Sequence, residues 1–114
     1  MKFPVLTRKE KEKLKVEGGK VKTEHLEIRY LYTGEDFPPR MVIQSLKSCG
    51  KAVRRNLLRR IIREWLRERY PYLPSGLLLF IRAVSSPSLP WREWRGPIRR
   101  ELEEAFGKIE GKKK

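Results

Sequence analysis

The stretch KAVRRNLLRRIIREWLRER, residues 51–69, carries two opposed messages on one helix. At about 100° per residue, Val53, Leu57, Leu58, Ile61, Ile62, Trp65 and Leu66 fall on one arc. Arg55, Asn56, Arg59, Arg60, Arg63 and Arg67 fall on the other. Arg54 projects toward the apolar side, near enough to the helix start to reach solvent. An amphipathic helix of this length needs a sheet or another helix against its apolar stripe. Gly50 before it and Pro71 and Pro74 after it bound the element.

Eight basic residues in this stretch face two acids, Glu64 and Glu68. A solvated helix face usually mixes signs, because opposite charges one turn apart stabilise it and like charges destabilise it by a few tenths of a kcal/mol per pair. Seven of the eight are arginine, whose planar fork binds phosphate through two hydrogen bonds and stacks on bases. Asn56 adds a donor and an acceptor within the basic arc. The spacing points to nucleic acid rather than to a merely solvated face. Lys51, Arg54, Arg55, Asn56, Arg59, Arg60, Arg63 and Arg67 are the candidate contacts.

The whole chain repeats the bias. Its 114 residues include 28 Lys plus Arg and 14 Asp plus Glu, for a formal charge of +14. That surplus strains the free protein through self-repulsion and favours a polyanionic partner. The length suits one domain, residues 1–110, with a basic tail at 111–114. Asn56 and Gln44 are the only side-chain amides, a composition expected of a thermophile. No apolar run approaches the ~20 residues of a membrane span, and the charged N-terminus lacks a secretory core, so a cytoplasmic protein is expected.

Outward from the helix, Thr7 with Glu10 reads as a capping box opening a first helix that Gly18-Gly19 ends. A short strand is expected at 20–22. His25 to Thr33 alternates, with Leu26, Ile28, Tyr30 and Tyr32 on one face. Residues 40–46 read as a strand antiparallel to that one. Leu77 to Ala83 is a continuous apolar run, as a central strand requires. Trp91, Trp94, Ile98, Leu102, Phe106 and Ile109 form one stripe of a C-terminal helix, with Pro97 kinking it or opening a second segment.

Protein-borne catalysis has little to work with. His25 is the only histidine, Asp36 the only aspartate and Cys49 the only cysteine. No disulfide forms within one chain, and Asp/His metal clusters are excluded by count. His25 reads as a strand-surface or RNA-contact residue, and Cys49 as a small apolar residue beside a glycine turn. Neither catalytic residues nor a metal site held by the protein alone are expected. Trp91 and Trp94 read as core anchors in preference to a base platform.

The run Gly50-Lys51-Ala52-Val53-Arg54-Arg55-Asn56-Leu57-Leu58-Arg59-Arg60-Ile61-Ile62-Arg63-Glu64 resembles the signature of the protein component of bacterial ribonuclease P, G-x-A-V-x-R-N-x-x-K/R-R-x-x-R-E, with every fixed position met. Leu6 to Lys9, Gly19 and Leu79 to Arg82 are similar to that family's opening helix, its closing glycine and its last strand. The chain departs from the pattern at Leu46-Lys47-Ser48, where a second lysine often follows the first, and at Leu14 and Val16, where the first helix usually carries phenylalanine.

The resemblance implies an α/β two-layer sandwich in the order α-β-β-β-α-β-α, with a mixed four-stranded sheet and a left-handed βαβ crossover, although general rules favour the right hand by ~98%. It implies a subunit that docks on a catalytic ribonuclease P RNA through the signature helix. Precursor tRNA would lay its 5′ leader in a cleft between sheet and first helix, and the RNA would remove that leader with Mg²⁺. A monomer in a 1:1 ribonucleoprotein is expected. Arg8, Lys9, Lys13, Tyr30, Tyr32, Lys47 and Arg82 are the candidate leader contacts, the tyrosines by stacking on unpaired bases if they are not simply core. The alternative is a non-enzymatic structural RNA-binding protein, ribosomal or chaperone-like; a DNA-binding protein with the helix in a major groove is more distant.

Overall fold

Thr7 opens the first helix by a reciprocal pair of hydrogen bonds. Its hydroxyl accepts from the Glu10 backbone N–H, and the Glu10 carboxylate accepts from the Thr7 backbone N–H. In the computed structural model, which describes residues 3–111, this helix is α1 (Arg8–Glu17), closed at Gly18. There follow β1 (Gly19–Lys22), β2 (Leu26–Tyr32), β3 (Arg40–Ser45), α2 (Ala52–Arg69), β4 (Leu77–Ala83) and α3 (Arg95–Gly111). The basic tail expected at 111–114 falls, from residue 112 on, outside the described residues.

The strands lie in the order β1-β2-β4-β3. β4 is antiparallel to β2 and parallel to β3. β3 therefore runs opposite to β2, as expected, but does not pair with it: the apolar β4 takes the place between them. Its run of leucines is continuous because one face packs on the helices along its length and the other lies under α1 at Leu78. Leu77, Leu79 and Ile81 point to one side, and Leu78 points to the other.

The register sorts the sheet into two faces. Val21, Leu26, Ile28, Tyr30, Met41, Leu79 and Ile81 share one face and pack against Leu58, Ile61, Ile62, Trp65 and Leu66 of α2 and Ile98, Leu102, Phe106 and Ile109 of α3. Trp65 meets Phe106 edge-on at 4.8 Å and locks the two helices together. This is the main sandwich. On the opposite face α1 covers one end only, where Leu6 and Leu14 bury Leu78.

The C-terminal stripe begins later than the spacing predicts. α3 starts at Arg95, so Pro97 sits in its first turn, where no helical N–H is lost. Trp94 is buried, with its indole N–H donating to the Leu89 carbonyl at 2.8 Å. Trp91 lies in a separate 3₁₀ turn (Trp91–Glu93) and is 59% exposed. It is not part of the core stripe, because that turn breaks the helical period. Val53, assigned by the wheel to the buried arc, is 78% exposed. The first turn of α2 overshoots the layer that the rest of the helix packs on.

Candidate nucleic-acid interface

Two glycines set the entry and exit of the sheet around the site. Gly76, at φ 78°, lets the chain turn into β4, and a side chain there would overlap the Glu35 carbonyl at 2.5 Å. Gly50, at φ 107°, follows a 3₁₀ turn (Lys47–Cys49) and reverses the chain into α2. Cys49 is buried below this turn, its thiol donating to the Ala83 carbonyl at 3.2 Å. Burial raises its pKa, outweighing the Leu46 backbone bond and the Arg55 charge. It stays a protonated packing residue, not a nucleophile.

α2 begins without a side-chain cap, has no acid in its first turn, and carries Arg54 and Arg55 there. Cations at the positive end of a helix dipole are unfavourable in the free protein, and an anion would reverse the sign of that interaction. Lys51, Arg54, Asn56, Arg60, Arg63 and Arg67 are exposed, and Arg55 and Arg59 are half-buried. Arg59 donates to the Asn56 side-chain oxygen. The acids of the helix are drawn away from this surface. Glu64 pairs with Arg95 of α3 at 2.6 Å and Arg60 at 3.1 Å, and Glu68 with Arg99 at 2.6 Å. Among the described residues Arg54, Arg55, Arg59, Arg63 and Arg67 have no carboxylate partner within ion-pair distance. The acids stitch α2 to α3 while the arginines stay outward.

The sheet face that α1 leaves open forms a second basic surface. Glu27 lies on it, nearly buried, with Lys20, Arg29, Lys22 and Arg82 at 3.8, 3.8, 3.9 and 3.9 Å. One carboxylate thus gathers four cations at charge-contact rather than hydrogen-bond range. Phe80 and Val42 are half-buried beside them, and the Arg82 guanidinium lies 5.3 Å from the Phe80 ring. The Nε atoms of Arg82 and of Arg55 are buried with no hydrogen-bond partner among the described residues. Such donors are uncommon in a finished interior.

The expected leader residues divide between places. Arg82 is on the open face, and the exposed Lys47 lies at the same end of the sheet, next to the start of α2. Arg8, Lys9 and Lys13 are exposed on α1. At about 100° per residue, Lys9 and Lys13 flank Leu14 on one side and Arg8 on the other, so the three do not converge. Tyr30 and Tyr32 are on the wrong face for the cleft. Period two places them with Ile28 toward α3, where Tyr30 is 7% exposed and the Tyr32 hydroxyl donates to the Ile109 carbonyl at 3.4 Å. They are core residues rather than stacking platforms. Sequence reasoning missed Glu27, Arg29, Lys20, Lys22 and Phe80. The alternation placed Glu27 and Arg29 opposite the tyrosines, but without β4 as neighbour Arg82 could not be set beside them.

His25 is also relocated. It is buried, its Nδ1 lies 2.6 Å from a Glu101 carboxylate oxygen, and its backbone N–H donates to the other oxygen at 2.8 Å. Thr23 donates to that second oxygen at 2.5 Å. His25 and Glu101, with the exposed Glu24, form the group of potential metal ligands found among the described residues. The His25 ring and the Glu101 carboxylate already bond one another, and a buried imidazole is a poor ligand for Mg²⁺, which prefers oxygen and retained water. The cluster fits a latch between strand and helix and does not fit Mg²⁺.

No helix among the described residues is long and apolar enough to cross a membrane. A family model for ribonuclease P matches residues 4–110. The ribonuclease P protein component of Coprothermobacter proteolyticus is 30% identical over 83 residues, which is 73% of this chain and 67% of that one. That of Thermobifida fusca is 43% identical over 56 residues, 49% of this chain and 38% of that one. Solved structures share the fold. The RNase P protein of Staphylococcus aureus superposes with a TM-score of 0.76 at 17% identity over 96% of both chains. That of Thermotoga maritima gives 0.67 at 22% identity over 90% of this chain and 94% of its own.

Proposed function

The chain belongs to the ribonuclease P protein family, and from that premise we propose that it docks on ribonuclease P RNA through the outward arginines of α2 and receives the 5′ leader of precursor tRNA on the open sheet face. It is the RNA-binding subunit of an endoribonuclease of tRNA 5′ maturation. The observation that carries the docking is the segregation of charge on α2, acids toward α3 and arginines outward. Support for the leader surface comes from Arg82, Arg29, Lys20 and Lys22 around Glu27, with Phe80 beside them. Lys47 and the start of α2 adjoin the Arg82 end of that face, so one phosphate backbone could pass between the two surfaces.

Catalysis is assigned to the RNA, with Mg²⁺ held there. The chain's part is electrostatic: its cations offset phosphate repulsion that divalent ions would otherwise have to screen. We take the complex as 1:1, and two distinct RNA surfaces on one small domain are compatible with that. The test is reconstitution with a bacterial ribonuclease P RNA and precursor tRNA at low Mg²⁺. The protein should raise 5′ cleavage above that of RNA alone, and Arg59→Ala with Arg63→Ala should weaken RNA binding and flatten its salt dependence by about two phosphate contacts. No gain in cleavage from the wild-type protein would refute the assignment.

A further inference from the structure

Trp91 and Val53 are the two large apolar side chains that periodicity assigns to the core and the fold leaves outside. They are brought together. Val53 and Leu57 of α2 and the Trp91 ring line a hollow of about 430 Å³, rimmed by Lys51, Arg54 and Arg60, with Asn56 reaching its edge. A second hollow of about 480 Å³ lies against the loop at 87–90, and Trp91 and Arg54 line both. The indole thus stands as a partition between two concavities. The Arg92 guanidinium lies 5.2 Å from it and adds another positive charge.

We propose that this hollow is a nucleobase-binding subsite, in which an unpaired base of the catalytic RNA stacks on Trp91 over Val53 and Leu57 while its flanking phosphates lie on Lys51, Arg54 and Arg60. The inference rests on the proposed docking of α2 and extends that surface to a residue outside the signature helix. An apolar floor with a cationic rim matches the alternation of π-face and phosphate along an unstacked strand. A second copy of the chain would bring cations against cations. Among the described residues no acid lines either hollow, so a protein partner would have to bring the acidic groups itself. The site is continuous with the outward arginines, and neither Trp91 nor Val53 contributes to the buried core.

The test is equilibrium binding of wild type, Trp91→Ala and Trp91→Phe to a bacterial ribonuclease P RNA transcript across a salt series, with thermal melts as a folding control. Trp91→Ala should weaken binding about tenfold at every salt concentration. The slope of log affinity on log salt should not change, because no phosphate contact is removed. Trp91→Phe should retain most of the affinity. Acrylamide quenching of tryptophan emission, dominated by Trp91 because Trp65 and Trp94 are buried, should fall when the RNA binds. Equal affinity of wild type and Trp91→Ala, a changed salt slope, or equal losses in the Phe and Ala variants would overturn the subsite while leaving α2 docking intact. So would a wild-type dimer that Trp91→Ala dissolves without loss of RNA affinity. Failure of the wild type itself to bind would instead defeat the docking reading and the subsite with it.

Discussion

At the scale of the residue, Glu101 is the most heavily committed side chain outside the basic surfaces. Its two oxygens accept from the Thr23 hydroxyl and the His25 backbone and meet the His25 ring, 76 residues away in sequence. These bonds fix the turn between β1 and β2 to α3. Glu101→Ala should destabilise the fold by about 2–3 kcal/mol, because the buried donors lose their acceptor and are not rehydrated. Urea unfolding monitored at Trp65 would measure it; a change under 0.5 kcal/mol would show that water replaces the carboxylate. The latch explains why His25 was misplaced by sequence reasoning. Alternation puts it on the polar face of a strand, and nothing local announces that a glutamate far down the chain covers it. Trp91 and Val53 were misread for the converse reason. Each obeys a helical period, but periodicity states which way a side chain points, not whether anything lies there.

At the scale of the element, what was legible follows from locality. The capping box of α1, the two faces of α2 and the apolar run of β4 are each written within about twenty residues, in spacing and caps. The neighbour order of the strands is not. β3 pairs with β4 across the whole of α2 and sets Gln44 beside Arg82, while β4 pairs with the distant β2 and sets Arg82 beside Glu27. The open-face cluster was therefore illegible even though its members were visible. The seam between α2 and α3 carries a pH signature. Desolvation raises the Glu64 carboxyl, but hydrogen bonds and charges from Arg60 and Arg95 outweigh it and hold the pKa below the ordinary value. A carboxylate depressed in the folded state adds stability above its unfolded pKa, near 4.3, and loses it as pH falls through the folded value. Wild type should thus be more stable than Glu64→Gln at pH 7, with the gap closing below about pH 4. Denaturant melts of both proteins at pH 7, 5 and 3 check this, and a gap independent of pH would assign Glu64 a packing role.

At the scale of the molecule, two electrostatic effects oppose one another. Ion pairs such as Arg95–Glu64, Arg99–Glu68 and Arg69–Glu110 tie α2 to α3 and weaken as salt is added. Exposed pairs of this kind contribute only about 0–1 kcal/mol each. Against them stands the repulsion of 28 basic residues over 14 acidic ones, concentrated on the outer face of α2 and on the open sheet face. Raising ionic strength from 10 to 150 mM shortens the screening length from about 30 to 8 Å, which relieves repulsion between separated cations more than it weakens pairs in contact. The melting temperature of the free protein should therefore rise with sodium chloride. It should rise further with sulfate at equal ionic strength, since a doubly charged anion can settle among the arginines and stabilise by binding the native state alone. Arg63→Ala with Arg67→Ala should raise the melting temperature at 10 mM salt and shrink the sulfate increment, because it removes both the repulsion and the place where the anion binds. A melting temperature that falls on adding salt would mean the helix-to-helix pairs dominate, and the excess charge would then cost the fold little before RNA arrives.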